Sequence, residues 1–283
     1  MTDNVLVWLN DPQNWTGTRF APGIGGQIAA HLEYTAIALL IAGGIALPLG
    51  LVLGHTGRAG WLVSVANGLR SLPTIGLLIL LYVMVAPLIS GQGDATYLVP
   101  TEIVLVLLAL PAILANTYAG VRNVSPAVRD AARGMGMTGP QVLFRVELPN
   151  ALPLVFSGVR SAALQVIATA TIAAYVGLGG LGRYVYDGLA SQEFGQMTGG
   201  GVLVAALALL VDLVLAVVQR TVVPRGVSGR FSRRSARADG RTAAVTELAG
   251  VAAGSSAAGG AADAAQPAAP ARAAAFSAEP PAQ

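Results

Sequence analysis

The chain has 283 residues, 54% of them hydrophobic and only 11% charged, with a mean hydropathy of +0.64 and a formal net charge of +3. A soluble domain carries roughly a quarter charged residues, so this composition excludes an ordinary soluble enzyme and points to a chain solvated largely by lipid. All 17 basic residues are arginine, cysteine is absent, and the histidines are His31 and His55; these facts exclude a P-loop ATPase, which needs a lysine on its phosphates, thiol or disulfide chemistry, and a zinc enzyme of the HExxH type.

Residues 1–30 read as an extracytoplasmic N-terminal segment. Asp3 stands where a signal peptide has a basic region, and 5–9 is too short an apolar run for its core, so the first long apolar run is expected to be a retained helix. About 20 helical residues cross the hydrocarbon core. The first crossing is predicted at 35–54, ending before His55 and Arg58, where Gly50 and Gly54 either permit close helix contact or merely tolerate it. The apolar region 61–90 is interrupted by Arg70-Ser71-Leu72-Pro73. Proline lacks an amide donor and restricts its predecessor, so a break is expected at Pro73, with 72–89 as the spanning part and 61–69 as a short helix on the cytoplasmic side. A sixth crossing arises only if 61–69 spans by itself, and it reaches about 14 Å.

The third crossing is predicted at 98–119, kinked at Pro111, with Glu102 near the outer end and hydrated. The polar insertion 120–150 sets Arg122, Arg129, Arg133 and Arg145 against Asp130 and Glu147. Ser125-Pro126 reads as a capped helix start and 130–135 as a short helix. The fourth crossing is 152–176. The glycine run 177–182 follows it, on the side away from nucleotide, as a turn or gate. The last crossing is 201–223, stopped by Arg220, Pro224 and Arg225. Residues 225–283 are rich in alanine, glycine and proline and read as a disordered cytoplasmic tail. The permease-like region is thus 31–224, all-α and polytopic. Basic residues cluster near 55–58, in 120–150 and after Arg220, so five crossings place the N-terminus outside and the tail inside. Asp212 lies near the middle of the last crossing and Arg160 about two turns into the fourth. Asp212 must face protein or water, and Arg160 either pairs with it or extends to the interface.

One spacing carries more than composition. Asp130-Ala131-Ala132, three residues, Gly136, nine residues, then Val146-Glu147-Leu148-Pro149 resembles the cytoplasmic coupling motif of permeases in binding-protein-dependent ABC importers. The family pattern has Glu and Ile where this chain has Asp130 and Val146. Physically, small residues at 131, 132 and 136 allow a helix to seat closely in another protein, Asp130 near a first turn benefits from the helix dipole, and Gly136 can end the helix. Shorter stretches at 31–35, 70–74, 177–182 and 213–220 resemble permeases for quaternary ammonium osmoprotectants such as glycine betaine, carnitine, choline and proline betaine.

The resemblance implies a type I ABC importer permease fold with five core helices in the bacterial inner membrane. It implies a non-catalytic subunit whose coupling residues are Asp130, Ala131, Ala132, Gly136, Val146, Leu148 and Pro149. Pro73, Arg160, Gly179, Gly180, Gly182 and Asp212 are expected to line the path or hold helices together. No cofactor is expected on this chain, since ATP and magnesium would bind the partner ATPase. The other implied partners are an extracytoplasmic solute-binding protein, a second permease subunit and membrane lipid, and nucleic acid is not among them. Methionine-type and other small permeases share the weaker motifs, which leaves import of amino acids or other small solutes open. A secondary transporter would call for paired repeats, and none is found. Tyr82, Tyr118, Tyr175, Tyr184 and Tyr186 are the aromatic residues available for a betaine, with interfacial anchoring as the plainer role.

Overall fold

The computed structural model describes residues 5–17, 22–58, 60–89 and 93–223. The predicted tail and Pro224 lie outside the described residues. Two short helices, α1 (Val5–Asn10) and α2 (Pro12–Thr16), precede the long α3 (Ile24–Thr56). Then come α4 (Gly60–Gly68) and α5 (Thr74–Val85), followed by α6 (Ala95–Arg122), the short α7 (Pro126–Gly134) and α8 (Gly139–Val142), α9 (Leu148–Ala170), α10 (Gly182–Ala190) and α11 (Phe194–Val222). No strand occurs among the described residues.

Four helical segments are long and apolar enough to cross a membrane: Ile24–Thr56, Ala95–Arg122, Gly139–Val176 and Phe194–Val222. Gly60–Ser71 and Thr74–Leu88 are apolar enough to make a fifth only if taken together as one broken span; they are bent by 93° where Leu72 and Pro73 break the helix, a geometry shared with a re-entrant loop. Pro73 sits just before α5 and its carbonyl accepts from the Leu77 amide, so the break falls where the sequence predicts it.

The first crossing differs from its prediction. α3 begins at Ile24 rather than at residue 35, so the boundary drawn at residue 31 falls inside a helix of 33 residues, about 50 Å long. Gly25, Gly26, Gln27, His31 and Glu33 depress the hydropathy there, but Gln27 and His31 are buried on the same face as Thr35 and find partners across the molecule.

The core is a sandwich of α3, α6 and α9. Ala38, Ala42 and Ala46 recur every fourth residue on α3 and meet Leu105, Ala109 and Ile113 of α6 and Ala162, Val166 and Ala170 of α9. With lipid on the outside, helices associate through close van der Waals contact, which small residues permit. Lower on α3 the stripe continues as Gly50 and Gly54, where a Cβ would stand 2.7 Å from Thr117 Cβ and 2.7 Å from Val121 Cβ. Gly158 of α9 meets Asn116 and Ala112 in the same way. α3 and α6 therefore run parallel, with α9 antiparallel to both. Glu102 is not hydrated as expected: it is 8% exposed and neither carboxylate oxygen has a hydrogen-bond partner. Its α6 neighbours Val104 and Leu105 are buried too, and the helix starts at Ala95, so residue 102 lies two turns inside.

Candidate functional site

The two ends of the α3–α6–α9 core carry different chemistry. At the His55 end lies the polar insertion. Its first helix, α7, has Pro126 at the first position, where a missing amide costs nothing. Ser125 occupies the capping position, but its side chain makes no capping bond; its carbonyl accepts from the Val128 and Arg129 amides instead. α7 begins four residues before the predicted 130, so Asp130 lies past the first turn. It is exposed and reaches Arg133 at 3.9 Å. Gly136 takes φ +82° and closes the helix, with its amide on Arg133 O and the Met137 amide on Ala132 O. Ala132, predicted as a coupling residue, is buried within this chain. The exposed face is Val128, Ala131 and Met135, spaced three and four apart.

What fixes α7 to the core is a residue that the coupling motif leaves unspecified. Glu147 has no exposed surface. Its Oε2 accepts from His55 Nδ1 at 2.7 Å, at the end of α3, and its Oε1 lies 2.9 Å from Arg129 Nε on α7. Arg129 also donates to Val121 O at the end of α6. α3 and α7 therefore converge on one carboxylate, and α6 holds the arginine that reaches it. The signal in the sequence was present but spread out: one acid in an apolar flank, with an arginine and a histidine assigned to the same membrane face. Val146 and Glu147 lie in a π turn, Leu143–Glu147, that runs directly into α9, whose first residues are Leu148 and Pro149.

The residues predicted for the path do not gather at one place. Pro73 lies at the bend before α5. Arg160 and Asp212 form a bidentate pair between α9 and α11, with Nε–Oδ1 at 2.9 Å and Nη2–Oδ2 at 2.8 Å. Arg160 also donates to Gln219 Oε1 at 3.2 Å. Gly179, Gly180 and Gly182 lie at the far end of the core. The Gly180 amide donates to Gln27 Oε1 at 2.6 Å, and beside it His31 Nε2 donates to Ile167 O at 2.9 Å. Gly177 and Gly180 have φ of +92° and +103°, and a Cβ on Gly182 would stand 2.1 Å from Thr171 O. Each of these glycines is required by a left-handed backbone or by close approach.

Two cavities open at this far end, of about 710 and 440 Å³, and share Asp94, Gly177, Leu178 and Gly179. Among the aromatic residues, Trp8 and Tyr184 line the larger cavity and Tyr34 and Tyr97 the smaller. Tyr82 stacks on Tyr97 with centroids 5.6 Å apart, Trp8 meets Tyr184 edge-on at 5.0 Å, and Tyr175 lies 6.0 Å from Tyr186. Burial pushes the Tyr184 phenol above its ordinary range. Tyr118 is elsewhere, against Gly60. Tyr34 and Tyr97, which line the smaller cavity, escaped the sequence reading because they sit where helix and loop could not be told apart.

Residues 46–227 match the family model described as "Binding-protein-dependent transport system inner membrane component". The chain is 34% identical over 210 residues to the glycine betaine/carnitine/choline transport system permease protein OpuCB of Bacillus subtilis (strain 168), covering 72% of this chain and 93% of that protein. It is 33% identical over 198 residues to the osmoprotectant import permease protein OsmW of Salmonella typhimurium, covering 70% and 90%. Its fold resembles that of a chain in inward-facing structures of the MetNI methionine ABC transporter, with a TM-score of 0.63 at 23% identity over 76% of this chain and 100% of that one. With its architecture of four or five apolar spans and this match over the core and the insertion, the chain belongs to the inner-membrane components of binding-protein-dependent transport systems.

Proposed function

We propose that this chain is the permease subunit of an ATP-driven importer of quaternary ammonium osmoprotectants, among them glycine betaine, carnitine and choline. Relatives whose names carry those solutes support the substrate class. The chain itself is non-catalytic. ATP and magnesium bind a separate ATPase, consistent with the absence of lysine. A solute-binding protein delivers substrate at the glycine-loop end, and a second permease, the same chain or a homologue, completes the path. The N-terminus lies outside and the C-terminus inside, in keeping with the arginines around the α7 end.

The observation that carries this reading is the geometry of α7. It presents Val128, Ala131 and Met135 with no partner of their own, 72% of Met135 being exposed, while Arg129 on its other face is tied to buried Glu147. A helix held in this way seats its outer face in a neighbour and passes that neighbour's movement to α3, α6 and α9 through one carboxylate.

The test is to purify the full complex with its ATPase and binding protein, reconstitute it, and measure ATP-dependent uptake of labelled choline and glycine betaine. Uptake of both that stops on withdrawal of ATP is expected. Accumulation by the permease without any ATPase, or ATPase association that persists unchanged when 126–136 is deleted, overturns the reading.

A further inference from the structure

A groove of about 490 Å³ runs between α3 and α6, apart from the two cavities at the glycine loop. Its α3 wall is Ile37, Ile41 and Ile45, every fourth residue, and its α6 wall includes Leu98, Glu102 and Val106, spaced in the same way. Ile41 and Ile45 are each 45% exposed, so the groove opens outward from the core. On helices that span a bilayer, an open apolar groove is filled by hydrocarbon. From Ile37 to Ile45 the helix advances about 12 Å, close to the roughly 15 Å of hydrocarbon in one leaflet. The dimensions and the lining therefore suit a lipid acyl chain.

One residue is out of place there. Glu102 is the only polar side chain lining the groove, it is 8% exposed, and neither of its carboxylate oxygens has a hydrogen-bond partner. No basic side chain lines the groove. A buried carboxylate without a donor is costly. Side chains on a helix lean toward its N-terminus, so Glu102 leans toward Leu98, the residue that the groove shares with the smaller cavity. Glu33, one turn before Ile37 on the same stripe of α3, stands close enough to act on Glu102 electrostatically. The groove is thus apolar along its length and acidic at its glycine-loop end.

That order of groups matches an amphiphile with a cationic head. The two oxygens of Glu102 call for N–H donors. A primary ammonium carries three, and a quaternary ammonium carries none. An anionic headgroup would meet Glu33 and Glu102 with like charge.

We propose that the groove between α3 and α6 binds a phospholipid with a primary ammonium headgroup, phosphatidylethanolamine, its acyl chain along Ile37, Ile41 and Ile45 and its ammonium on Glu102 and Glu33. The lipid acts as a structural ligand that supplies the donors this chain lacks. The site rests on the membrane-spanning fold and not on which solute is imported.

The experiment uses the purified permease–ATPase complex, stripped of lipid and titrated with dioleoyl phosphatidylethanolamine, phosphatidylcholine or phosphatidylglycerol, with bound lipid counted by native mass spectrometry. The chains are identical, so the comparison reads the headgroup. The wild type is expected to bind the ethanolamine lipid about fivefold more tightly than the choline lipid, the scale of one partly solvated charge-assisted hydrogen bond, and the glycerol lipid no better than the choline lipid. Glu102→Gln is expected to abolish that preference while leaving the choline lipid within about twofold. Glu33 is exposed, so Glu33→Gln leaves the fold intact and is expected to weaken the preference by itself. Ile41→Trp fills the groove and is expected to reduce binding of both lipids. Equal wild-type affinity for the ethanolamine and choline lipids overturns the site, as does a full preference in Glu102→Gln. Displacement of the lipid by an equal concentration of phosphoethanolamine, which has the head without the chains, overturns the lipid as its ligand. Dissociation of the complex by Ile41→Trp would show that a protein helix fills the groove, and overturns the proposal too.

Discussion

Glu147 illustrates what a single buried charge demands. With its carboxylate wholly enclosed, it is tolerable only while Arg129 and His55 remain in place. Removing one partner of a buried pair leaves an uncompensated charge and costs about 3–5 kcal/mol. Arg129→Ala and Glu147→Ala are therefore expected to lower the thermal denaturation midpoint of the purified complex by many degrees. His55→Ala is expected to cost less, because its ring is partly solvated and Arg129 remains. Equal midpoints for Glu147→Ala and wild type would remove the argument. The glycines at the opposite end make a different demand. Gly182→Ala drives a Cβ into Thr171 O, so the backbone must move and expression of folded protein is expected to collapse. Gly177→Ala meets no atom within 4 Å and suffers only the strain of a left-handed alanine, roughly 1–2 kcal/mol. A comparison of detergent-stable yields separates the two: Gly177→Ala should survive where Gly182→Ala does not.

The helix α7 is too short to be stable alone, so its form depends on where it is tied and how it ends. Gly136 ends it in the left-handed region, which asparagine tolerates and a β-branched residue does not. Gly136→Asn is expected to retain co-purification of the ATPase, and Gly136→Val to lose it; identical behaviour would show that the turn plays no part in docking. Much of this element was legible in the sequence, because Pro126, Ala131 and Gly136 are local signals for a start, a tight contact and a stop. Its orientation was not legible. Whether Ala131 or Ala132 faces outward depends on which side Arg129 finds Glu147, a contact made across the fold. The start of α3 was hidden for the same reason. Gln27 and His31 look like loop residues until Gly180, 153 positions away, supplies the bond that makes Gln27's burial tolerable. Long apolar runs reveal crossings, and the break at Pro73 follows from proline chemistry alone. Polar residues whose partners are distant in sequence give no such signal.

Considered as a whole, the molecule is unevenly finished. α3, α6 and α9 bury one another, but α11 leaves most of its apolar length uncovered, with Leu209 70% and Leu213 62% exposed. Lipid or another protein must cover that surface, because apolar side chains exposed on a spanning helix are not solvated by water. The tie between α11 and the core at mid-depth is the Arg160–Asp212 pair, supported by Gln219, which itself reaches Pro153 O at 3.4 Å. In hydrocarbon the pair neutralises two charges that neither helix could carry alone. Asp212→Ala leaves the guanidinium with Gln219 as its only described side-chain partner, so α11 loses its register against α9 and assembly fails. The yield of intact complex is expected to fall severalfold, while the solute ranking of whatever assembles stays as in wild type. Replacing both residues, Arg160→Leu with Asp212→Leu, removes the stranded charge and is expected to recover most of the yield, since apolar substitutes often match a buried pair in stability. Size-exclusion yield and uptake ratios decide the matter together. Normal assembly of Asp212→Ala with an altered choline-to-betaine ratio would move Asp212 from the scaffold to the path, and failure of the double variant to recover would mean the pair does more than cancel charge.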